Sequence, residues 1–142
     1  MMNKGKIISV IAAIVLVLGI AAAWWFITAR YNFNITQVSW TGETTFWTDN
    51  TNYNKYDIKL KSFDGTDLKE INSKKDEYKI IVNSSVENGE LRIKIYNDKK
   101  VIFEKDGQIN ETINVSKDDS KGIKIELTGK KATNGHVNIK LK

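Results

Sequence analysis

A run of 22 residues without a single charge, 7–28, constrains this chain more than any other feature. Wound as an α-helix at about 1.5 Å per residue it reaches about 33 Å, enough to cross a hydrocarbon core of about 30 Å. The run is apolar on every side rather than along one stripe, so burial inside a soluble core does not suit it. It is therefore a signal peptide or a membrane anchor. Ala21-Ala22-Ala23 has the Ala-x-Ala form of a cleavage site. A signal peptide, however, carries an apolar region of about 7 to 15 residues and then turns polar, whereas residues 20–27 stay apolar through the candidate cut. Left intact, Trp24 and Trp25 fall at the membrane interface, where aromatic rings are enriched. The sequence thus predicts a transmembrane signal-anchor helix over 7–29, with secretion after cleavage near Ala23 as the alternative.

Charge sets the orientation. Lys4 and Lys6 precede the run with no acid among them, and Arg30 alone follows closely. By the positive-inside rule, residues 1–6 form a cytoplasmic stub and 31–142 an extracytoplasmic domain. The net charge of +5 would suggest a basic protein, but three of the 22 basic residues are these flanking ones, while all 17 acidic residues lie in the domain. With signs nearly balanced and interspersed there, no basic face for nucleic acid is expected. Without cysteine there is no disulfide, thiolate metal site or cysteine nucleophile, and without proline no sortase motif that needs one. The weight of Lys, Asn and Ile fits an AT-rich bacterial genome, which also accounts for the Asn-x-Ser/Thr matches at Asn34, Asn83, Asn110 and Asn114.

After Tyr31 the pattern changes to alternation. Tyr56, Ile58 and Leu60 alternate with Asp57, Lys59 and Lys61, the period of a half-buried strand. The signature returns at Leu91-Ile93-Ile95, Ile123-Ile125-Leu127 and Val137-Ile139-Leu141, and less regularly over 33–40, 78–86, 101–105 and 109–115. Asn88-Gly89 reads as a hairpin turn, with further turns at Asn97-Asp98, Asp106-Gly107 and Asn134-Gly135. Segment 64–77 reads as an edge strand at 68–71 and a loop. About eight short antiparallel strands at this spacing predict an all-β fold, an antiparallel β-sandwich.

The stretch "GELRIKIYNDKKVIFEKDG", followed by "KGIKIELTGKKATNGHVNIKLK", resembles a pattern of small membrane-anchored extracytoplasmic bacterial β-sandwich proteins. A strand ending in Tyr96-Asn97-Asp98 turns into an apolar strand with Phe103, then come a Gly-led strand and a last strand after a second Gly. The layout, over 77–142, is similar to jelly-roll and GOLD-type sandwiches, although Ile123 stands where such groups commonly carry an aromatic residue. The resemblance implies a fold more than a function.

Catalytic chemistry has little to draw on. His136, the sole histidine, sits beside Gly135 and reads as a solvated turn residue. Asp118-Asp119, next to Ser120-Lys121-Gly122, reads as an exposed loop. Asn50-x-Asn52-x-Asn54 begins like an EF-hand, but Lys55 and Lys61 replace the turn glycine and the closing acid, leaving at most an irregular cation site at Asp49 and Asp57. An internal lysine–asparagine isopeptide bond would need a core lysine beside a buried acid, and the alternation marks none. No cofactor, metal or catalytic residue is expected.

The segment "WTGETTFWTDNTNYNKY" offers more. It gathers Trp40, Phe46, Trp47, Tyr53 and Tyr56 among hydroxyls, amides and the acid Asp49. Rings that cover a pyranose face, beside groups that take its hydroxyls, are what sugar binding uses, while the same rings are also what a small core requires. The reading is a non-enzymatic, membrane-tethered binding module of the cell envelope, partnered by an envelope protein or a cell-wall glycan. An unrecognised hydrolase is the remaining alternative. The short linker before the first strand implies a partner near the membrane or the innermost wall.

Overall fold

The computed structural model describes residues 3–29 and 31–142. Arg30, used in the charge argument, lies outside them. The chain divides into two compact units, 1–31 and 32–142.

The first unit is a single helix, α1, Lys4–Ala29. Asn3 starts it: its carbonyl accepts the amides of Lys6 and Ile7 at 2.9 and 3.1 Å. Neither proline nor charge interrupts the helix after Lys6, and its described side chains are exposed through Phe26. By length and composition this helix is apolar enough to cross a membrane.

The second unit is all-β and antiparallel. Its strands are β1 (Phe33–Thr45), β2 (Thr48–Asp49), β3 (Lys55–Ser73), β4 (Tyr78–Ser85), β5 (Asn88–Tyr96), β6 (Val101–Asp106), β7 (Ile109–Val115) and β8 (Ile123–Leu141). They form one eight-stranded sheet folded over into a two-layered sandwich. The long strands β3 and β8 pass through both layers. The second half of β3 and the first half of β8 join β1, β5 and β6 in one layer; their other halves join β2, β4 and β7 in the second.

Folding a sheet over requires its backbones to approach closely at the bend. Gly42 and Gly65 face each other there, and a Cβ on Gly65 would lie 2.1 Å from the Thr41 carbonyl oxygen. Gly129 supports the same corner, where an added Cβ would meet Phe63 at 2.5 Å. The bend also shifts the phase of alternation. In β3 the core-facing set runs Tyr56, Ile58, Leu60, then Phe63, Asp67, Lys69, Ile71, with a bulge between Phe63 and Gly65. In β8 it runs Ile123, Ile125, Leu127, Gly129, then takes two three-residue steps to Ala132 and Gly135 before resuming at Val137. Lys131, near φ 49°, lies at the extra residue of β8 opposite the bulge, and Asn134, also near φ 49°, kinks the strand without shifting its register against β3.

These bends correct several sequence expectations. Residues 123–127 and 137–141 belong to one strand, and Asn134-Gly135 is a kink inside it rather than a turn. Asn88-Gly89 is not a hairpin: β4 and β5 do not pair with each other but both pair with β8, and Gly89 sits at a bulge against Lys131. Residues 68–71 are an interior part of β3, between β1 and β8, not an edge strand. Asn97-Asp98 does turn the β5–β6 hairpin, with Asn97 Oδ1 accepting the amides of Lys99 and Lys100.

The core is continuous between the layers. Ile58, Ile80, Val82, Leu91, Ile93, Ile95, Ile125, Leu127, Val137 and Ile139 are wholly buried. Burying each such side chain contributes about 1.5–3 kcal/mol before chain entropy is counted. The expected alternating residues fill this core.

Candidate binding site

From Ser39 onward β1 and β2 keep a single register along β3, with Thr45 opposite Ser62 and Thr48 opposite Lys59, so together they form one edge of the sandwich. The edge is broken at Phe46, whose φ of 52° is unusual for a bulky residue. That kink throws Phe46 outward, 74% exposed with the Lys61 ammonium 5.3 Å from its ring, and turns Trp47 inward. Trp47 packs 4.9 Å from Phe63, and Trp40 lies 6.0 Å from Trp47 in an edge-to-face arrangement. Such aromatic pairs are worth about 0.5–1.5 kcal/mol beyond area burial. Trp40 is thereby held on the edge while 40% of its surface stays open.

The same edge holds a polar cluster. Gln37 is opposite Lys69 and Trp40 opposite Asp67, so all four side chains lie on the face turned towards the second layer. Asp67 is fully buried; its Oδ2 accepts the Tyr56 hydroxyl at 2.8 Å, and its Oδ1 accepts Gln37 Nε2 at 2.6 Å. Lys69, only 2% exposed, donates to Gln37 Oε1 at 2.5 Å and to Asp49 Oδ2 at 2.8 Å, and its Nζ lies 3.2 Å from Asp67 Oδ2. Among the described residues no buried side-chain polar atom lacks a partner, as an unpaired one would cost about 1–3 kcal/mol.

Titration follows from these contacts. Burial works to raise the Asp49 pKa, but hydrogen bonds from Lys69 and Thr51 and the Lys69 charge outweigh it and hold the carboxyl below its ordinary range. Burial, and then the Asp67 charge, push the Tyr56 hydroxyl well above the usual phenol value, so it remains a donor.

A cleft of about 310 Å³ opens over this cluster, lined by Ile35, Gln37, Asp49, Thr51 and Lys69. The three protons of Lys69 are already directed at Asp49, Gln37 and Asp67. Asp49 Oδ1 accepts the Thr51 amide at 2.9 Å, and as a partly exposed carboxylate it retains acceptor sites. The cleft can therefore take hydrogen-bond donors, such as hydroxyls.

The six residues singled out from the sequence thus separate. Trp40, Trp47 and Asp49 line the edge, Phe46 and Tyr53 are exposed beside it, and Tyr56 is enclosed in the core with no face towards solvent. Trp24 and Trp25, the expected interface pair, are exposed on α1. Asp49 and Asp57 do not converge: Asp57 bonds His136 at 2.8 Å and pairs with Lys55 at 3.1 Å. Burial would raise the Asp57 pKa, yet His136 and Lys55 bring it below the ordinary value. His136 belongs to β8 rather than a turn. Lys117–Asp119 form a short 3-10 helix that leaves Asp118 exposed, and only Ser120, just after it, is buried, its carbonyl accepting the Tyr78 hydroxyl at 3.2 Å. Gln37, Asp67 and Lys69 were missed, because polar residues in an alternating strand read as outward-facing.

No protein-family model and no curated protein sequence matches the chain. Among solved structures, it is similar to a carbohydrate-binding module from Cellvibrio mixtus lichenase 5A, determined in complex with cellotriose. Identity is 15% and the TM-score 0.34, over 75% of this chain and 88% of that one.

Proposed function

We propose that the chain is a membrane-tethered binding module of the bacterial cell envelope, anchored by α1, whose extracytoplasmic domain engages its ligand through the β1–β2 edge without covalent chemistry on it. One observation carries this reading: Trp40, packed against Trp47 and Phe63, remains 40% exposed on the same sandwich edge that carries a cleft with acceptor capacity at Asp49. The hydrolase alternative is disfavoured because a general acid must carry a proton, whereas Asp49 is held as a carboxylate by Lys69.

Within this reading, a cell-wall glycan suits the edge better than a protein. An indole face takes the apolar side of a sugar ring, and Asp49 and Thr51 can meet its hydroxyls. The test is co-sedimentation of the full chain, in detergent, with purified peptidoglycan. Binding should fall at least tenfold for Trp40→Ala. Capture of a membrane neighbour by cross-linking, sensitive to Trp40→Ala in the absence of glycan binding, would instead assign a protein partner. Indifference of both assays to Trp40→Ala and Phe46→Ala would remove the edge from the function.

A further inference from the structure

Lys69 occupies a position that its chemistry ordinarily forbids. It is 2% exposed, on an interior strand, and its ammonium is enclosed by carboxylates from both layers: Asp67 beside it on β3, and Asp49 across from it on β2. Burying charges is costly even when they are paired, because their attraction in a low dielectric barely repays the lost hydration. Condensation of Lys69 with Asp49 into a neutral amide removes two of the three charges and leaves the Asp67 carboxylate to the Tyr56 hydroxyl and Gln37 Nε2, which already donate to it. The strand carrying Asp49 also needs support: β2 is two residues long and pairs only at Thr48 and Asp49.

We propose that Lys69 and Asp49 become joined by an intramolecular isopeptide bond, with Asp67 relaying the protons. Three observations supply the geometry that bond formation needs. Lys69 Nζ is already 2.8 Å from Asp49 Oδ2, within reach of the carboxyl carbon once the amine is neutral. Asp67, fully buried, is fixed by Tyr56 and Gln37 and lies 3.2 Å from the same Nζ, where it can take and return a proton. Gln37 Oε1 accepts from Nζ and fixes the amine's direction.

The step balances within the cluster. The ammonium begins with three protons and Asp49 with one negative charge. Asp67 takes a proton from Nζ, freeing the amine lone pair, and returns it to an Asp49 oxygen as the N–C bond to Asp49 Cγ forms, so the amine adds to a protonated carboxyl group rather than to the carboxylate. The C–O bond to one Asp49 oxygen then breaks. Two of the original ammonium protons depart with that oxygen as water, one stays on the amide nitrogen, and Asp67 ends as it began. No oxidant or co-reactant is consumed. Asp49 keeps its second oxygen as an amide carbonyl, so the cleft retains an acceptor.

Intact mass spectrometry of the full chain in detergent tests this directly. The expected mass is about 18 Da, one water, below that calculated from the sequence. Proteolysis should then yield a branched peptide joining the segments around Asp49 and Lys69. Lys69→Met and Asp49→Ala should each restore the calculated mass, and Asp67→Asn should leave most of the chain unlinked. A wild-type mass equal to the calculated one overturns the proposal without recourse to any variant. A water loss that maps to dehydration at Asp64-Gly65 or Asp106-Gly107, with no branched peptide, overturns it equally.

Discussion

Gly89 and Gly107 provide a controlled comparison of two costs that usually come mixed. Their φ values are nearly the same, 78° and 77°, so alanine at either must adopt the left-handed region. That conformation costs an L-residue about 1–2 kcal/mol. Their surroundings differ: a Cβ on Gly107 meets nothing within 4 Å, whereas one on Gly89 lands 2.1 Å from the Lys131 carbonyl oxygen and 2.4 Å from its carbon. Backbone cannot rotate away as a side chain can, so the bulge between β5 and β8 must open, adding about 1–3 kcal/mol as overpacking does. Gly107→Ala should therefore cost about 1–2 kcal/mol and Gly89→Ala about 2–5 kcal/mol. At about 4 °C per kcal/mol for a domain near 100 residues, the melting points should fall by about 4–8 °C and about 8–20 °C. Urea unfolding followed by β-sheet circular dichroism, with an unchanged m-value, reads both. Equal losses within about 0.5 kcal/mol would show that Gly89 does not lie against Lys131 and would refute the folded-over arrangement of β5 on β8.

The other expectations are briefer. Trp47→Ala should destabilise the domain by about 2–4 kcal/mol, since Trp47 packs on Phe63; Phe46→Ala, outward at the same kink, should change stability by less than about 0.5 kcal/mol. Because the Asp57 pKa is depressed on folding, its contribution is present above the unfolded value near 3.8 and disappears as pH falls through the lower folded value. Asp57→Asn should accordingly flatten the stability curve below that pH, and an unaltered acid limb would contradict the His136 and Lys55 contacts. The full chain should stay in the membrane fraction through an alkaline carbonate wash, with a mass that includes the residues preceding Trp24; a soluble form beginning at Trp24 would establish cleavage.

The fold was legible wherever alternation ran undisturbed, as at Leu91-Ile93-Ile95, because a strand with one buried face repeats with period two. It became illegible at the bends. A strand that turns from one layer into the other breaks its period at the bend, and the residues that tolerate this, Asn134 near φ 49° and glycines 42, 65 and 89, are also those that make turns. Sequence therefore divided β8 in two and supplied a hairpin where the chain only bulges. The phase itself held the missing signal: core-facing residues fall on even numbers through Leu60 and on odd numbers from Phe63, as happens where a strand turns from one layer into the other.

The site was half legible for a related reason. The aromatic segment stands out in composition, but Asp67 and Lys69 share a face with Ile71, and only the shifted phase reveals that this face is buried. A polar cluster near a sheet edge also has a purely structural use, since inward charges and bulges discourage edge-to-edge pairing between chains. The bulge between Gln37 and Ser39 fits that role, but Lys69 on an interior strand and the open face of Trp40 are not explained by it. The two roles make opposite predictions for Asp49→Ala. If the cluster only guards the edge, the variant should bind its ligand normally and lose monodispersity in gel filtration. If Asp49 provides the cleft's acceptor, binding should fall by about tenfold, the 1.4 kcal/mol of one lost hydrogen bond, while the chain remains monodisperse because the bulge and the Phe46 kink still protect β1 and β2.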